Sequence, residues 1–140
     1  MTRSSELDDL ISTLSVNPID ILVVEDSESN LALIELYFSK TACQLDIAMH
    51  GGEAVEKFMG KSYDLILMDI QMPTMDGYEA TRCIREIEQK QSDDPVPIVA
   101  VTANAFTEDR EKCLAAGCSG YLAKPVSKQA LLQCVIDNIR

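Results

Sequence analysis

No apolar run in this 140-residue sequence approaches the roughly 18 residues that a membrane-spanning helix needs. Residues 1–10 also lack the basic start and long apolar stretch of a signal peptide, so we expect a cytoplasmic chain that makes no membrane contact. The five cysteines are an odd number without a C-x-x-C pair, which argues against a disulfide framework and a zinc site. We expect the cysteines to be small core residues.

Positive charge is scarce in the sequence. Twelve Lys and Arg residues stand against 23 Asp and Glu residues, giving a net charge of −11. Direct binding to nucleic acid is disfavoured, because no basic patch is available to replace the counterions of phosphates. The apolar content of 46% and the charged content of 25% are typical of globular proteins, so the sequence predicts one ordinary domain that needs no cross-links.

Short apolar runs alternate with helical patterns along the chain. Strands are predicted at residues 19–24, 45–48, 65–68, 98–101 and 121–123. Helices are predicted at residues 5–14, 27–40, 51–59, 78–90, 108–116 and 127–139. Ser5 is a predicted cap of the first helix, Ser27 and Ser29 are candidate caps of the second, Ser127 caps the last, and Gly117 is a glycine C-cap. The alternation predicts an α/β fold: a doubly wound, five-stranded parallel sheet with helices on both faces. Residues 1–18 form an N-terminal extension or linker, and residues 19–140 form the domain.

Polar residues stand where the predicted strands end. They are Glu25, Asp26, Asp69, Thr102 and Lys124. Because parallel strands end at the same edge of a sheet, we expect these side chains to converge there. Crowded carboxylates repel one another and need a cation, and an oxygen-only ligand set suits Mg²⁺, for which Mn²⁺ could substitute. One carboxylate could then attack a phosphoryl group and form an acyl phosphate, with Lys124 offsetting charge and Thr102 donating a hydrogen bond.

These residues and their surroundings resemble a response-regulator receiver domain. The motifs are the acidic pair Glu25–Asp26, Asp69 within MDIQMPTMDG, Thr102 within AVTANA, and Lys124 followed by Pro125. The resemblance covers residues 19–139, and the longer motif MDIQMPTMDGYEAT is most like the receivers of hybrid histidine kinases. It implies a flavodoxin-like receiver fold with strand order 2-1-3-4-5, an order for which a receiver is itself a standard example.

The same resemblance implies roles for individual residues. Asp69 is expected to be the phosphoacceptor and, with Asp26 and the backbone carbonyl of Gln71, a direct ligand of Mg²⁺, while Glu25 acts mostly through water. Thr102 and Tyr121 are expected to form the conformational switch. The peptide bond between Lys124 and Pro125 is expected to be cis.

A receiver takes its phosphoryl group from a phosphohistidine of a histidine kinase or histidine phosphotransfer domain. His50, the one histidine of the sequence, precedes two glycines and is interpreted as an incidental surface residue rather than a donor. The helix at residues 27–40 has more apolar residues than one buried face requires, so Leu31 and Leu36 are predicted to dock the partner, with Glu28 and the Val126 loop at the rim. We expect a monomer that is a stand-alone receiver, a phosphorelay intermediate or part of a hybrid kinase.

Two other classes of protein share parts of this pattern. A flavodoxin-type electron carrier would need a phosphate-binding first loop, which Glu25 and Asp26 would repel. An aspartate-nucleophile phosphohydrolase would need a second acid in a D-x-D motif, where this chain has Gln71. The sequence therefore favours a signalling receiver that catalyses only its own phosphorylation and dephosphorylation.

Overall fold

A computed structural model describes residues 2–70, 76–91, 94–103 and 107–139. Within these ranges the strands form one parallel sheet in the order β2-β1-β3-β4-β5. The strands are β1 Ile19–Val24, β2 Cys43–Ala48, β3 Leu65–Asp69, β4 Ile98–Thr102 and β5 Gly120–Ala123. The predicted doubly wound fold with strand order 2-1-3-4-5 is therefore confirmed.

Helices cover both faces of the sheet. They are α1 Thr2–Thr13, α2 Glu28–Phe38, α3 Gly51–Gly60, α4 Gly77–Gln91, α5 Thr107–Ala116 and α6 Lys128–Asn138. One apolar core includes residues of α3, α4 and α5, and the other includes residues of α1, α2 and α6. Within β3, Ile66 and Met68 face the first core while Leu65 and Leu67 face the second, so the strand needs apolar residues at successive positions.

The register of the central strands brings their carboxyl ends together. Val24 pairs with Met68 and Asp69 pairs with Val101, so the residues after β1 lie beside the end of β3. Thr102 is the last residue of β4 and pairs with Ala123, the residue before Lys124. The predicted convergence of polar side chains at one sheet edge follows from this alignment.

Local capping interactions set several helix ends. The Oγ atoms of Ser27 and Ser127 accept hydrogen bonds from the backbone N–H groups of Asn30 and Ala130, which confirms the predicted cap at Ser127 and shows that Ser27, rather than Ser29, caps α2. Gly117 has a φ angle of 107°, a left-handed conformation that glycine adopts without strain, and it follows α5 as predicted.

His50 is exposed but not incidental. Its side chain caps α3, because Nδ1 accepts a hydrogen bond of 3.1 Å from the backbone N–H of Glu53. The interpretation of His50 as an incidental surface residue was therefore wrong. The sequence signal was its place immediately before the helical pattern, where a side-chain acceptor is useful.

The N-terminal helix packs on the domain. It begins at Thr2, so the cap predicted at Ser5 was wrong. Leu14, just after the helix, is fully buried, and its carbonyl accepts a 3.0 Å hydrogen bond from the N–H of Ala42. The Nε2 of Gln129 on α6 donates to Oε2 of Glu6 at 2.9 Å. These contacts favour a docked extension over a free linker.

The five cysteines form no disulfide. Cys113 and Cys118 are buried as predicted, whereas Cys43, Cys83 and Cys134 are only partly buried. Burial raises the pKa values of the Cys118 and Cys134 thiols to about 11 each, so both stay neutral at physiological pH. Among the helices of the described ranges, none has both the length and the apolar character to cross a bilayer.

Candidate functional site

Three carboxylates meet where β1 and β3 end. Oxygen atoms of Glu25, Asp26 and Asp69 all lie within 4.8 Å of one another. Asp69 is 2% exposed and Glu25 is 4% exposed, whereas Asp26 is open to solvent. The backbone N–H of Glu25 donates to the carbonyl of Ala48 at 3.0 Å, which extends the β1–β2 ladder to the site.

Lys124 lies between the two buried carboxylates. Its Nζ is 3.2 Å from Oδ1 of Asp69 and 3.7 Å from Oε1 of Glu25. Its backbone N–H donates to the carbonyl of Thr102 at 2.8 Å, so the end of β4 fixes the start of the Lys124 loop. The Lys124–Pro125 peptide bond is cis, as the resemblance implies.

The positive charge of Lys124 does not balance the negative charges of the three carboxylates. Burial raises the pKa of Glu25 above its usual value, and the negative charge of Asp69 raises it further. The N–H of Ser27 and the charge of Lys124 act in the opposite direction without reversing the shift. Hard oxygen donors with excess negative charge fit Mg²⁺, which would neutralise the carboxylates when bound.

The two predicted switch residues lie on neighbouring strands. Thr102 is buried at the end of β4 and directly follows Val101, which pairs with Asp69. Tyr121 is on β5 opposite Ala100 and is partly buried against the core that contains α3, α4 and α5, with its ring 5.0 Å from the Arg110 guanidinium carbon. Tyr121 is therefore set back from the end of the sheet where the carboxylates lie. Gln71, predicted as a carbonyl ligand, lies outside the described residues.

The predicted docking pair on α2 is divided between core and surface. Leu31 is 7% exposed and packs in the core on the α1, α2 and α6 side, so its assignment as a docking residue was wrong. Leu36 is 63% exposed and remains available to a partner. The inward face of α2 runs through Leu31, Ile34 and Phe38, a regular helical spacing. The sequence interpretation had Leu33 or Ile34, Tyr37 and Phe38 facing the core and left Leu31 outside it.

A groove that the sequence did not reveal lies beside the acidic cluster. Its volume is about 270 Å³, and its walls are mainly Leu33, Ile34 and Tyr37 of α2 facing Pro125 and Val126. Glu25, Asn30 and Lys124 also contribute to the lining. The Tyr37 hydroxyl donates to the Val126 carbonyl at 3.3 Å, which joins the two walls. This groove connects an apolar surface directly to the candidate site.

Comparisons with known proteins identify the same architecture. The sequence model of the response regulator receiver domain matches residues 21–136. The chain is 38% identical over 118 residues to hybrid signal transduction histidine kinase L of Dictyostelium discoideum, a match that covers 82% of this chain and 7% of that protein. Across eight curated relatives the match spans between 3% and 26% of the relative's length.

Two solved structures are similar over most of the chain. The receiver domain of sensor histidine kinase PA1611 from Pseudomonas aeruginosa is 39% identical with a TM-score of 0.78, covering 87% of this chain and 98% of that one, and it contains magnesium in its active-site cleft. The receiver domain of the Saccharomyces cerevisiae response regulator Ssk1, solved with the histidine phosphotransfer protein Ypd1, is 34% identical with a TM-score of 0.83, covering 86% and 88%.

The raised pKa of Glu25 predicts how Glu25→Gln changes the stability of the fold. Without divalent cations, Glu25→Gln should raise the free energy of unfolding at neutral pH, because the folded state disfavours the ionised carboxylate. Because folding raises the pKa of Glu25, the stability advantage of Glu25→Gln is largest when the pH lies above the pKa of Glu25 in the folded state. The advantage disappears as the pH falls below 4.5, the ordinary pKa of a glutamate. Urea unfolding across this pH range measures the effect.

Mg²⁺ should reduce the stability advantage of Glu25→Gln over the wild type. At ten times its dissociation constant, a cation that binds only the folded state adds about 1.4 kcal/mol to the wild type, and it should add much less to Glu25→Gln. Glu35→Gln makes the same charge change at an exposed position of α2 and serves as the control. If Glu25→Gln and Glu35→Gln shift stability alike with and without Mg²⁺, the electrostatic account of the cluster is wrong.

Proposed function

This chain belongs to the response regulator receiver domain family, which serves two-component and phosphorelay signalling, and on that basis we propose that Asp69 is its phosphoacceptor. The observation that carries this proposal is the buried Asp69 carboxylate, which lies beside both Lys124 and the acidic pair. Family membership favours a receiver over a flavodoxin-type electron carrier or an aspartate-nucleophile phosphohydrolase. Residues 19–140 are assigned to the receiver and residues 1–18 to an N-terminal extension.

In the proposed transfer, a carboxylate oxygen of Asp69 attacks the phosphorus of a phosphohistidine. The new O–P bond forms as the P–N bond breaks, and the imidazole of the partner leaves with the electron pair. Lys124 offsets charge on the phosphoryl oxygens and Thr102 donates a hydrogen bond to one of them. Mg²⁺, or Mn²⁺ in its place, would be held by Asp26 and Asp69 with Glu25 acting through water, and would supply further charge neutralisation.

The first test replaces the nucleophile. Asp69→Asn keeps the shape of the side chain but removes the anionic oxygen, so uptake of labelled phosphate from a small-molecule phosphodonor should fall to background. Chelation of divalent cations should have the same effect on the wild type. Asp137→Asn, an equal charge change at an exposed position of α6, should leave uptake unchanged. Wild-type labelling of Asp69→Asn would exclude Asp69 as the acceptor.

Phosphorylation is proposed to act through Thr102 and Tyr121. The phosphoryl group adds negative charge and acceptor oxygens, so the Thr102 hydroxyl moves toward it and vacates space for the Tyr121 ring. Movement of the ring removes its contact with Arg110 and changes the surface formed by α5 and β5. Shifting the population from 1% to 99% active needs about 5.5 kcal/mol, which a few charge-assisted hydrogen bonds of roughly 1.5–3 kcal/mol each could supply.

Beryllofluoride with Mg²⁺ mimics the phosphoryl group and tests this switch. Amide NMR signals of the described residues between Thr102 and Tyr121 should shift in the wild type. Thr102→Val, which has a similar shape but no hydroxyl, should bind beryllofluoride with much smaller shifts at Tyr121. Equal shifts at Tyr121 in both proteins would show that the switch does not depend on the Thr102 hydroxyl.

A histidine kinase or histidine phosphotransfer domain is proposed to dock on the exposed face of α2 and the adjoining groove. Ssk1, a similar receiver, has been solved with such a phosphotransfer protein. Leu33 and Leu36 are both exposed, and the groove between Tyr37 and Val126 leads to Lys124, so a partner bound there could bring its histidine to Asp69. The free cysteines suit a reducing compartment, which supports the proposal that the transfer takes place in the cytoplasm. The chain is proposed to act there as a monomer.

A pair of matched substitutions tests the docking face. Leu36→Glu should strongly reduce phosphotransfer from the cognate histidine domain, because a charge is placed against an apolar interface, while loading from a small-molecule phosphodonor stays normal. Met59→Glu is the control, since Met59 is similarly exposed, at 60%, on α3 across the sheet. Normal transfer from the histidine domain to Leu36→Glu, or an equal loss in Met59→Glu, would contradict docking on α2.

A further inference from the structure

Asn30 contacts the acidic cluster although no sequence motif marked it. Its Nδ2 is 3.4 Å from Oε1 of Glu25, and its backbone N–H donates to Oγ of Ser27 at 3.3 Å. The residue lies in the first turn of α2 and lines the groove beside Lys124. Its backbone therefore takes part in the helix cap while its side chain faces the candidate metal site.

A hydrogen-bond donor such as Asn30 restricts the orientation of the Glu25 carboxylate. A glutamate side chain has one more rotatable bond than an aspartate, so its carboxylate has more orientations to lose when it serves a metal. Here both oxygens have donors: the Ser27 N–H is 3.1 Å from Oε2, and Asn30 is the donor at Oε1. Lys124 approaches Oε1 only to 3.7 Å.

We propose that Asn30 is a positioning residue for the divalent cation and acts by fixing the carboxylate of Glu25. In this arrangement, the Asn30 amide holds Glu25 toward Asp26 and Asp69, so that the oxygens of the cluster are close together before the cation arrives. Loss of an outer hydrogen bond of this kind typically weakens metal binding by roughly 10- to 100-fold. Because the bond is long, we expect a change of about tenfold, at the lower end of that range.

This role can be separated from helix capping. Asn30→Ala keeps the backbone N–H that donates to Ser27, so α2 retains its cap. Ser27→Ala removes the capping hydroxyl but keeps the N–H that donates to Glu25. A capping role predicts that Ser27→Ala has the larger effect on folding, whereas the positioning role predicts that Asn30→Ala has the larger effect on the cation.

The inference rests on the proposed metal site, and calorimetric titration with Mg²⁺ in the absence of any phosphodonor tests both. Asn30→Ala should bind Mg²⁺ about tenfold more weakly than the wild type. Ser27→Ala should lower the midpoint of urea unfolding while its Mg²⁺ affinity stays close to that of the wild type. Unchanged affinity in Asn30→Ala would overturn the inference and leave the metal site standing, whereas no binding by the wild type would overturn both.

Testing Asn30→Ala in a Glu25→Asp background shows whether Asn30 acts through Glu25. The shorter side chain of Glu25→Asp withdraws the carboxylate from Asn30, so adding Asn30→Ala to this variant should cause no further loss of Mg²⁺ affinity. The four proteins form a double-mutant cycle with the cation affinity as the readout. Equal losses from Asn30→Ala in the wild-type and Glu25→Asp backgrounds would show that Asn30 does not act by positioning Glu25.

Discussion

The repulsion between carboxylates at the ends of β1 and β3 is the constraint on which the site depends. Glu25 and Asp69 are both buried, and Lys124 is the ammonium group that contacts them among the described residues. Burial and the neighbouring charge raise the pKa of Glu25, so the cluster by itself is held together at a cost to folding. A divalent cation would draw binding energy from relief of this repulsion and, in the proposed function, would also offset the negative charge that a phosphoryl group adds.

The rest of the fold keeps that arrangement in place and connects it to the surface. Parallel strands with aligned carboxyl ends deliver Glu25, Asp69, Thr102 and Lys124 to one edge, and apolar helix faces on both sides stop the strands from shifting. The groove between α2 and Val126 opens at the same edge. The site is thus continuous with a surface that a partner can reach on one side and with β5 on the other.

Much of the fold and of the acidic site could be predicted from the sequence, because the apolar runs, the helical patterns and the polar strand ends are local signals that agree with one another. Unbroken apolar runs such as that before Asp69 indicate strands buried on both faces, and their alternation with helices allows few topologies. Leu31 and His50 were misinterpreted for a different reason. The rotation of α2 depends on packing in the core that it shares with α1 and α6, which no short motif encodes. The start of α3 at Gly51 was predicted, but histidine is not among the residues usually preferred as a helix cap, so the capping role of His50 was overlooked. The Asn30 contact likewise exists only once β1 and the cap of α2 are in place.

Reductive trapping tests the central claim most directly. Borohydride reduces an aspartyl phosphate to homoserine, so treatment after incubation with a phosphodonor and Mg²⁺, followed by peptide mass spectrometry, locates the acyl phosphate on the chain. The account predicts conversion at residue 69 and none when Mg²⁺ is chelated. Conversion at Glu25 or Asp26 instead, or stable phosphate on His50 with residue 69 unchanged, would contradict it.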